Sequence, residues 1–129
     1  MHRKPLFVIL WVVATGLAAC GSSNKVSVTT TDFHFSPESW TVGAGQEVTV
    51  TVTNNGALRH EWVVIKPGQT ITLPFNDDDE DKVLWEVEVE PGETVSGQFT
   101  APSEPGDYEV VCGVLGHLEL GMKGTLTVK

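Results

Sequence analysis

The chain is 129 residues long and sets eight Lys and Arg against 17 Asp and Glu, a formal charge of −9. That length suits one domain with an adequate core of its own, and the acidic balance argues against nucleic acid as a partner. At the start, His2, Arg3 and Lys4 precede the apolar run Leu6 to Ala14, and small residues follow, which is the layout of an export signal. The run is too short to cross a bilayer.

The end of that segment, Leu17-Ala18-Ala19-Cys20, resembles the lipobox of bacterial lipoproteins. The resemblance implies a signal peptide over residues 1–19, a lipidated Cys20, a short polar linker over 20–25 and a domain over 26–129. An ordinary cleaved signal with Cys20 free, or an uncleaved anchor, is the alternative. On the lipoprotein reading the protein is exported and lipid-anchored at the extracytoplasmic face of a bacterial membrane, in the periplasm or at the cell surface. Loss of Arg3 and Lys4 leaves six basic residues against 17 acidic ones, a formal −11. Such a surface repels acidic proteins and steers basic ones. Cys112 is then the last thiol, and an unpaired cysteine in an oxidising compartment calls for an explanation that metal ligation provides.

From Lys25 onward the hydrophobic period is two. Val48, Val50 and Val52 alternate with Thr49, Thr51 and Thr53, and Val83, Trp85, Val87 and Val89 alternate with Leu84, Glu86, Glu88 and Glu90. Val26 and Val28 sit on even positions but Phe33 and Phe35 on odd ones, so the first strand is expected to change faces through a bulge or bend near Thr30 to Asp32. Turn signals at Ser36-Pro37, Gly43-Ala44-Gly45, Asn54-Asn55-Gly56, Pro67-Gly68, Pro91-Gly92 and Pro105-Gly106 punctuate the rest. The prediction is all-β: a sandwich or barrel of about seven to eight mainly antiparallel strands. The run Asn76-Asp77-Asp78-Asp79-Glu80-Asp81 breaks the pattern and reads as a solvated loop. It is a bland exposed loop, a docking patch for a basic partner, or a calcium site, although the EF-hand spacing and its glycine are absent.

The chemistry concentrates in Cys112-Gly-Val-Leu-Gly-His117-Leu-Glu-Leu-Gly-Met122, a glycine-rich stretch that offers a thiol, an imidazole and a thioether. Soft and borderline ligands of these types select copper over hard cations, and a His2Cys site with a long axial Met is the blue-copper pattern. His60 is the candidate for the second imidazole: in the extended run from Leu58 it shares a face with Trp62 and Val64. A histidine so placed is also compatible with a satisfied core residue. Tyr108, Val110 and Cys112 share a face further on, and Met122 has the parity of Leu126 and Val128, so three strands can aim ligands into one end of the core. His34 alternates with Phe33 and Phe35 and is expected to face solvent. The alternative for Cys112 and Met122, that both are core hydrophobes, explains neither their spacing nor the glycines between them.

Cys112-x4-His117-x4-Met122, preceded by Pro105-Gly106-Asp107-Tyr108 and the distant Arg59-His60-Glu61-Trp62-Val63-Val64, resembles the cupredoxin family, the plastocyanin, azurin, auracyanin and rusticyanin group. The similarity runs from Lys25 to Lys129. It implies a Greek-key β-sandwich, one type 1 copper bound by His60, Cys112 and His117 with Met122 as weak axial ligand, and a tyrosine corner at Tyr108. Two positions depart from the pattern. Glu61 stands where family members often have Asn, and Leu115 where the azurin-like loop often has Pro.

The function this implies is one-electron relay between redox partners, not catalysis. The expected partners are redox proteins with a basic docking surface, such as a cytochrome or a membrane redox complex, and the expected state is monomeric. Val114, Leu115, Leu118 and Leu120 flank His117 and form a candidate apolar contact patch, for which ordinary core packing is the alternative. Glu119 and Asp77, Asp78, Asp79, Glu80 and Asp81 are the candidate orienting charges. A copper carrier or storage lipoprotein and a metal-free sandwich module are the competing functions. A multicopper enzyme is disfavoured, because one short domain provides no second copper site.

Overall fold

The computed structural model describes residues 24–129, so the signal segment, Cys20 and most of the linker lie outside the described residues. Alternating burial builds the strands. In β1 (Lys25–Thr31) and β4 (Glu47–Asn54) the even-numbered residues are buried and the odd ones face outward. The remaining strands are β2 (His34–Ser36), β3 (Ser39–Val42), β5 (His60–Ile65), β6 (Val83–Val89), β7 (Thr94–Thr100), β8 (Gly106–Val111) and β9 (Lys123–Val128). They form two facing sheets, of order β2-β1-β4-β7 and β3-β9-β8-β5-β6. The expected all-β Greek-key sandwich is thus observed, with two differences of detail. Among the described residues there are nine strands rather than seven or eight, and two pairs, β1 with β4 and β3 with β9, run parallel.

The extra strand comes from the first segment. Thr29 pairs with Ser36 and Thr31 with His34, so the chain reverses through a two-residue turn at Asp32-Phe33 instead of bulging within one strand. The reversal changes the parity of the apolar residues just as a bulge would. Phe35 is buried with Val26 and Val28 while His34 points outward.

Trp62 sits fully buried at the centre of the sandwich and meets Trp40 edge-on at 5.3 Å between centroids. Trp85 and Phe99 stack at 5.2 Å and pack against it. Such offset and edge-to-face pairs add to the area they bury. Trp85 can lie so close to β7 only because position 97 is glycine, where a Cβ would come within 2.6 Å of the indole. Strand β5 is buried on both sides. Val63 and Ile65 join Phe75, Val111 and Leu118 in a smaller cluster on its second face.

The acidic run is not a loop. Asp77–Lys82 forms a 3-10 helix capped by Asn76, whose side chain accepts from the Asp78 N–H while Asp79 returns a bond to the Asn76 N–H. Asp79 is turned inward, 5% exposed, and takes the Lys82 ammonium at 2.8 Å, which holds its carboxyl below the usual range. Asp77, Asp78, Glu80 and Asp81 remain exposed. Among the described residues, no helix is long and apolar enough to cross a membrane.

Candidate metal centre

Three adjacent strands of one sheet carry the donors to one end of the sandwich. His60 is the first residue of β5, Cys112 follows β8 directly, and Met122 immediately precedes β9. Cys112 donates its backbone N–H to the Met122 carbonyl at 3.1 Å, which closes the loop between them at its base. Inside the loop, the His117 N–H bonds the Val114 carbonyl and the His117 carbonyl takes the N–H groups of Leu120 and Met122. These successive turns need left-handed backbone at Gly116 (φ 89°) and Gly121 (φ 91°), where a side chain would be strained.

His60 Nδ1 lies 3.2 Å from His117 Nδ1 and 3.9 Å from Cys112 Sγ. Cys112 Sγ is 3.4 Å from His117 Nδ1. The donor atoms of all three residues fall within 4.8 Å of one another, in a site where each residue is buried. Two nitrogens bound at about 2.0 Å to a trigonal first-row ion stand about 3.5 Å apart, and a sulfur at about 2.3 Å slightly farther from each. The separations therefore match three ligands around one ion. The set contains no carboxylate, so a hard cation is a poor match, and the side chain of Met122 is fully buried beside the loop base. Thiolate, two imidazoles and an available thioether fit a single copper ion.

Burial pushes the Cys112 thiol up, opposed by backbone N–H donors from Glu61 and Val114, of which the Glu61 N–H lies 3.4 Å from the sulfur. Burial, and then the neighbouring His60, push the His117 imidazole down. Both effects favour neutral, uncharged side chains until a cation is present.

Two contacts were not foreseen from the sequence, and both come from the β1–β2 turn. Asp32 Oδ1 accepts from His60 Nε2 at 2.9 Å, and the Phe33 ring meets His117 edge-on at 4.8 Å. Asp32 also accepts the Ala57 and Leu58 N–H groups at 3.0 and 3.3 Å. The Ala57 bond is the main cause of its lowered carboxyl pKa. Residue 32 lies beside residue 60 because β1 pairs with β4, whose end leads into the segment before β5, and no local pattern signals it.

The candidate docking residues divide. Leu115 and Leu120 are 70% and 62% exposed, and Glu119 is exposed. Leu118 belongs instead to the smaller core cluster, and Val114 packs partly against the main core. A groove of about 610 Å³ separates the ligand loop from the acidic helix, with Leu115 on one wall and Asp77, Asp78 and Glu80 on the other. Asp79 does not reach it. His34 is exposed and pairs with Glu38 at 3.2 Å, away from the donor cluster. The Glu61 carboxylate packs against Gly113, where a Cβ would collide with it. The two ligand-bearing segments are joined through the Glu61 backbone rather than through an Asn side chain. Tyr108 makes the expected corner, its hydroxyl donating to the Glu104 carbonyl at 2.7 Å.

This fold and this donor set are those of a cupredoxin, and the family model described as the cupredoxin-like domain matches residues 4–128. The chain belongs to that family. Among curated proteins it is 28% identical to Auracyanin-A of Chloroflexus aurantiacus over 158 residues, which spans 98% of this chain and 96% of the relative. Auracyanin-B of the same organism is 32% identical over 89 residues, but that match spans 58% of this chain and only 37% of the relative's length. Among solved structures, reduced auracyanin from the photosynthetic bacterium Roseiflexus castenholzii superposes with a TM-score of 0.72 at 27% identity, over 84% of this chain and 99% of that one. Auracyanin A, described as a "blue" copper protein from the green thermophilic photosynthetic bacterium Chloroflexus aurantiacus, gives a TM-score of 0.66 at 29% identity, over 81% of this chain and 99% of that one.

Proposed function

We propose that the protein is a one-electron carrier holding a single type 1 copper, with His60 Nδ1, Cys112 Sγ and His117 Nδ1 as equatorial ligands and Met122 as the weak axial one. The observation that carries this is the convergence of two imidazoles and a buried thiol within 4.8 Å, from the start of β5, the end of β8 and the loop that follows it. When bound, the copper supplies a Cu(II)/Cu(I) couple. The residues supply a geometry that stays fixed while the charge changes. The N–H donors on the Cys112 sulfur and the apolar shell around Met122 tune that couple. His117 is the one donor with any exposure, 7%, so its ring edge is the entry point for electrons.

A membrane anchor at Cys20 fits this use. Strand β1 runs from Lys25 to the turn that touches His60, a distance of roughly 20 Å at about 3.3 Å per residue. An anchor just before Lys25 holds the opposite end of the sandwich near the membrane and turns His117 outward, toward partners. Those partners are redox proteins with basic surfaces, steered by the net charge and received along the groove between Leu115 and the acidic helix.

The test is an absorption spectrum of the domain from Gly21 onward after loading with Cu(II). An intense thiolate-to-copper charge-transfer band, bleached by ascorbate, restored on reoxidation and lost in Cys112→Ser, is the expected result. Protein that stays colourless would end the electron-carrier reading. Membrane fractionation of the full chain against Cys20→Ala tests the anchor, the variant being expected in the soluble fraction.

A further inference from the structure

The turn between β1 and β2 touches both imidazoles and carries no ligand itself. Its Asp32 carboxylate is set in place from several sides: Oδ2 takes the Ala57 N–H at 3.0 Å, and Oδ1 takes the Leu58 N–H at 3.3 Å and His60 Nε2 at 2.9 Å. Gly56 closes the pocket. A Cβ there would collide with Asp32 Oδ1 and stand 3.1 Å from His60 Nε2, so the pair is pressed against bare backbone.

Resting on the copper reading above, we propose that Asp32 is a positioning residue of the metal centre. It fixes His60 in the tautomer whose Nδ1 lone pair faces Cys112 and His117, and its charge favours the oxidised state of the centre. An ionised carboxylate only accepts hydrogen bonds, so the nitrogen facing it carries the proton, and in the neutral ring that binds a metal the other nitrogen is bare. The bare nitrogen is the one that lies 3.2 Å from His117 Nδ1 and 3.9 Å from the sulfur. Without an acceptor at Nε2, the polar contacts left to this fully buried imidazole are those of Nδ1 with His117 and Cys112, where Nδ1 can either donate or accept, so neither tautomer is imposed. The charge acts through the same bond. A carboxylate on the outer nitrogen makes the imidazole a stronger donor and stabilises the more positive ion, so its loss should favour Cu(I). A competing reading makes Asp32 only a cap for the Ala57 and Leu58 N–H groups, in which case removing it costs stability and leaves the couple where it was.

Asp32→Asn keeps an acceptor oxygen and removes the charge, whereas Asp32→Ala removes both. In the metal-free protein, long-range proton–nitrogen NMR correlations of the imidazole rings report the tautomer of His60. The Nε2–H form is expected in wild type and Asp32→Asn, and a mixture in Asp32→Ala. In the copper-loaded protein both variants should shift the ratio of Cu(II) to Cu(I) affinity by about tenfold, which raises a one-electron potential by roughly 59 mV. A potential unmoved in both variants, or a His60 that stays wholly Nε2–H in Asp32→Ala, overturns the proposal, even if both variants melt earlier. Should wild-type protein take up no copper, the proposed function falls. The tautomer in the metal-free protein then still decides whether Asp32 positions His60.

Discussion

Asn54 is the residue whose removal should most loosen the centre without touching a donor. It ends β4, is fully buried, and bonds three ways through its side chain. Nδ2 donates to the carbonyls of Leu58 at 2.8 Å and Val89 at 3.1 Å, and Oδ1 accepts the Gly56 N–H at 2.8 Å. One amide therefore ties the segment leading into His60 to β4 on one side and to the end of β6 on the other. Asn54→Ala leaves all three groups without that partner. The Leu58 carbonyl can rehydrate, since Leu58 is 44% exposed, but the Val89 bond is buried. At about 1 kcal/mol for each lost bond, and more for the buried one, the loss totals about 3 kcal/mol. For a domain of this size that lowers Tm by roughly 12 °C or more. Asn54→Asp, of the same volume, turns an oxygen toward two carbonyls and should cost at least as much at neutral pH. Denaturant unfolding of the metal-free domain gives the stability, and the rate of copper removal by a chelator should rise in both variants. A loss below about 1 kcal/mol, with chelation unchanged, would show that the β5–β6 ladder alone holds His60.

Three further outcomes follow from the same geometry. Burial, chiefly, raises the Glu61 carboxyl, with Glu86 and Glu88 adding and Arg59 opposing. An acid whose folded pKa is raised contributes stability below its ordinary pKa and loses it as pH rises through the folded value. Glu61→Gln should therefore raise Tm at about pH 7 and give no gain near pH 4; an equal gap at both refutes this. Tyr108→Phe deletes the 2.7 Å bond to Glu104 and should cost about 1 kcal/mol, or roughly 4–8 °C in Tm, with the blue absorption unchanged. An unshifted Tm would mean the corner is not structural. Because burial favours the protonated Cys112 thiol, copper binding should release at least the thiol proton, so affinity should rise about tenfold or more per pH unit below the thiol pKa. Competition titrations between about pH 6 and 8 check this, and a flat affinity contradicts it.

Side-chain parity made the sandwich and the donor cluster legible. His60 shares its face with Trp62 and Val64, and Cys112 shares its own with Tyr108 and Val110, so two periodic runs aimed both donors inward before any pairing was known. What parity could not supply was distance along the chain. Asp32 reaches His60 across 28 positions because β1 and β4 pair in parallel, with Thr30 opposite Asn54, and that register appears in neither segment alone. Asn54 read as part of a turn because Asn-Asn-Gly is a turn signal, and its buried side chain depends on the β6 terminus 35 positions away. A bulge and a tight reversal change parity alike, so the β1–β2 hairpin was indistinguishable from a bend. The acidic run and the ligand loop share a further difficulty. Neither has a strand period, so nothing in the sequence separated the inward Asp79 and Leu118 from their exposed neighbours.

The order of the strands explains why such a centre should transfer electrons without rearranging. His60, Cys112 and Met122 stand at the ends of β5, β8 and β9, which are consecutive in one sheet in the order β9-β8-β5. Displacing one donor relative to the next means breaking ladder hydrogen bonds between those strands, or the Cys112 N–H bond to the Met122 carbonyl. His117 alone depends on a loop, and there Phe33 and the turn bonds of Gly121 and Met122 limit it. Fixed donors keep the energy of reorganisation small when the ion changes charge, which is what an electron carrier needs and what a metal carrier would find a hindrance. A chaperone or store must open its site to pass the ion on, yet His60, Cys112 and Met122 are completely buried and His117 is only 7% exposed. An electron tunnels through a packed ring, whereas an ion leaves only when its ligands move apart. The same geometry that favours rapid electron transfer should therefore make copper release slow.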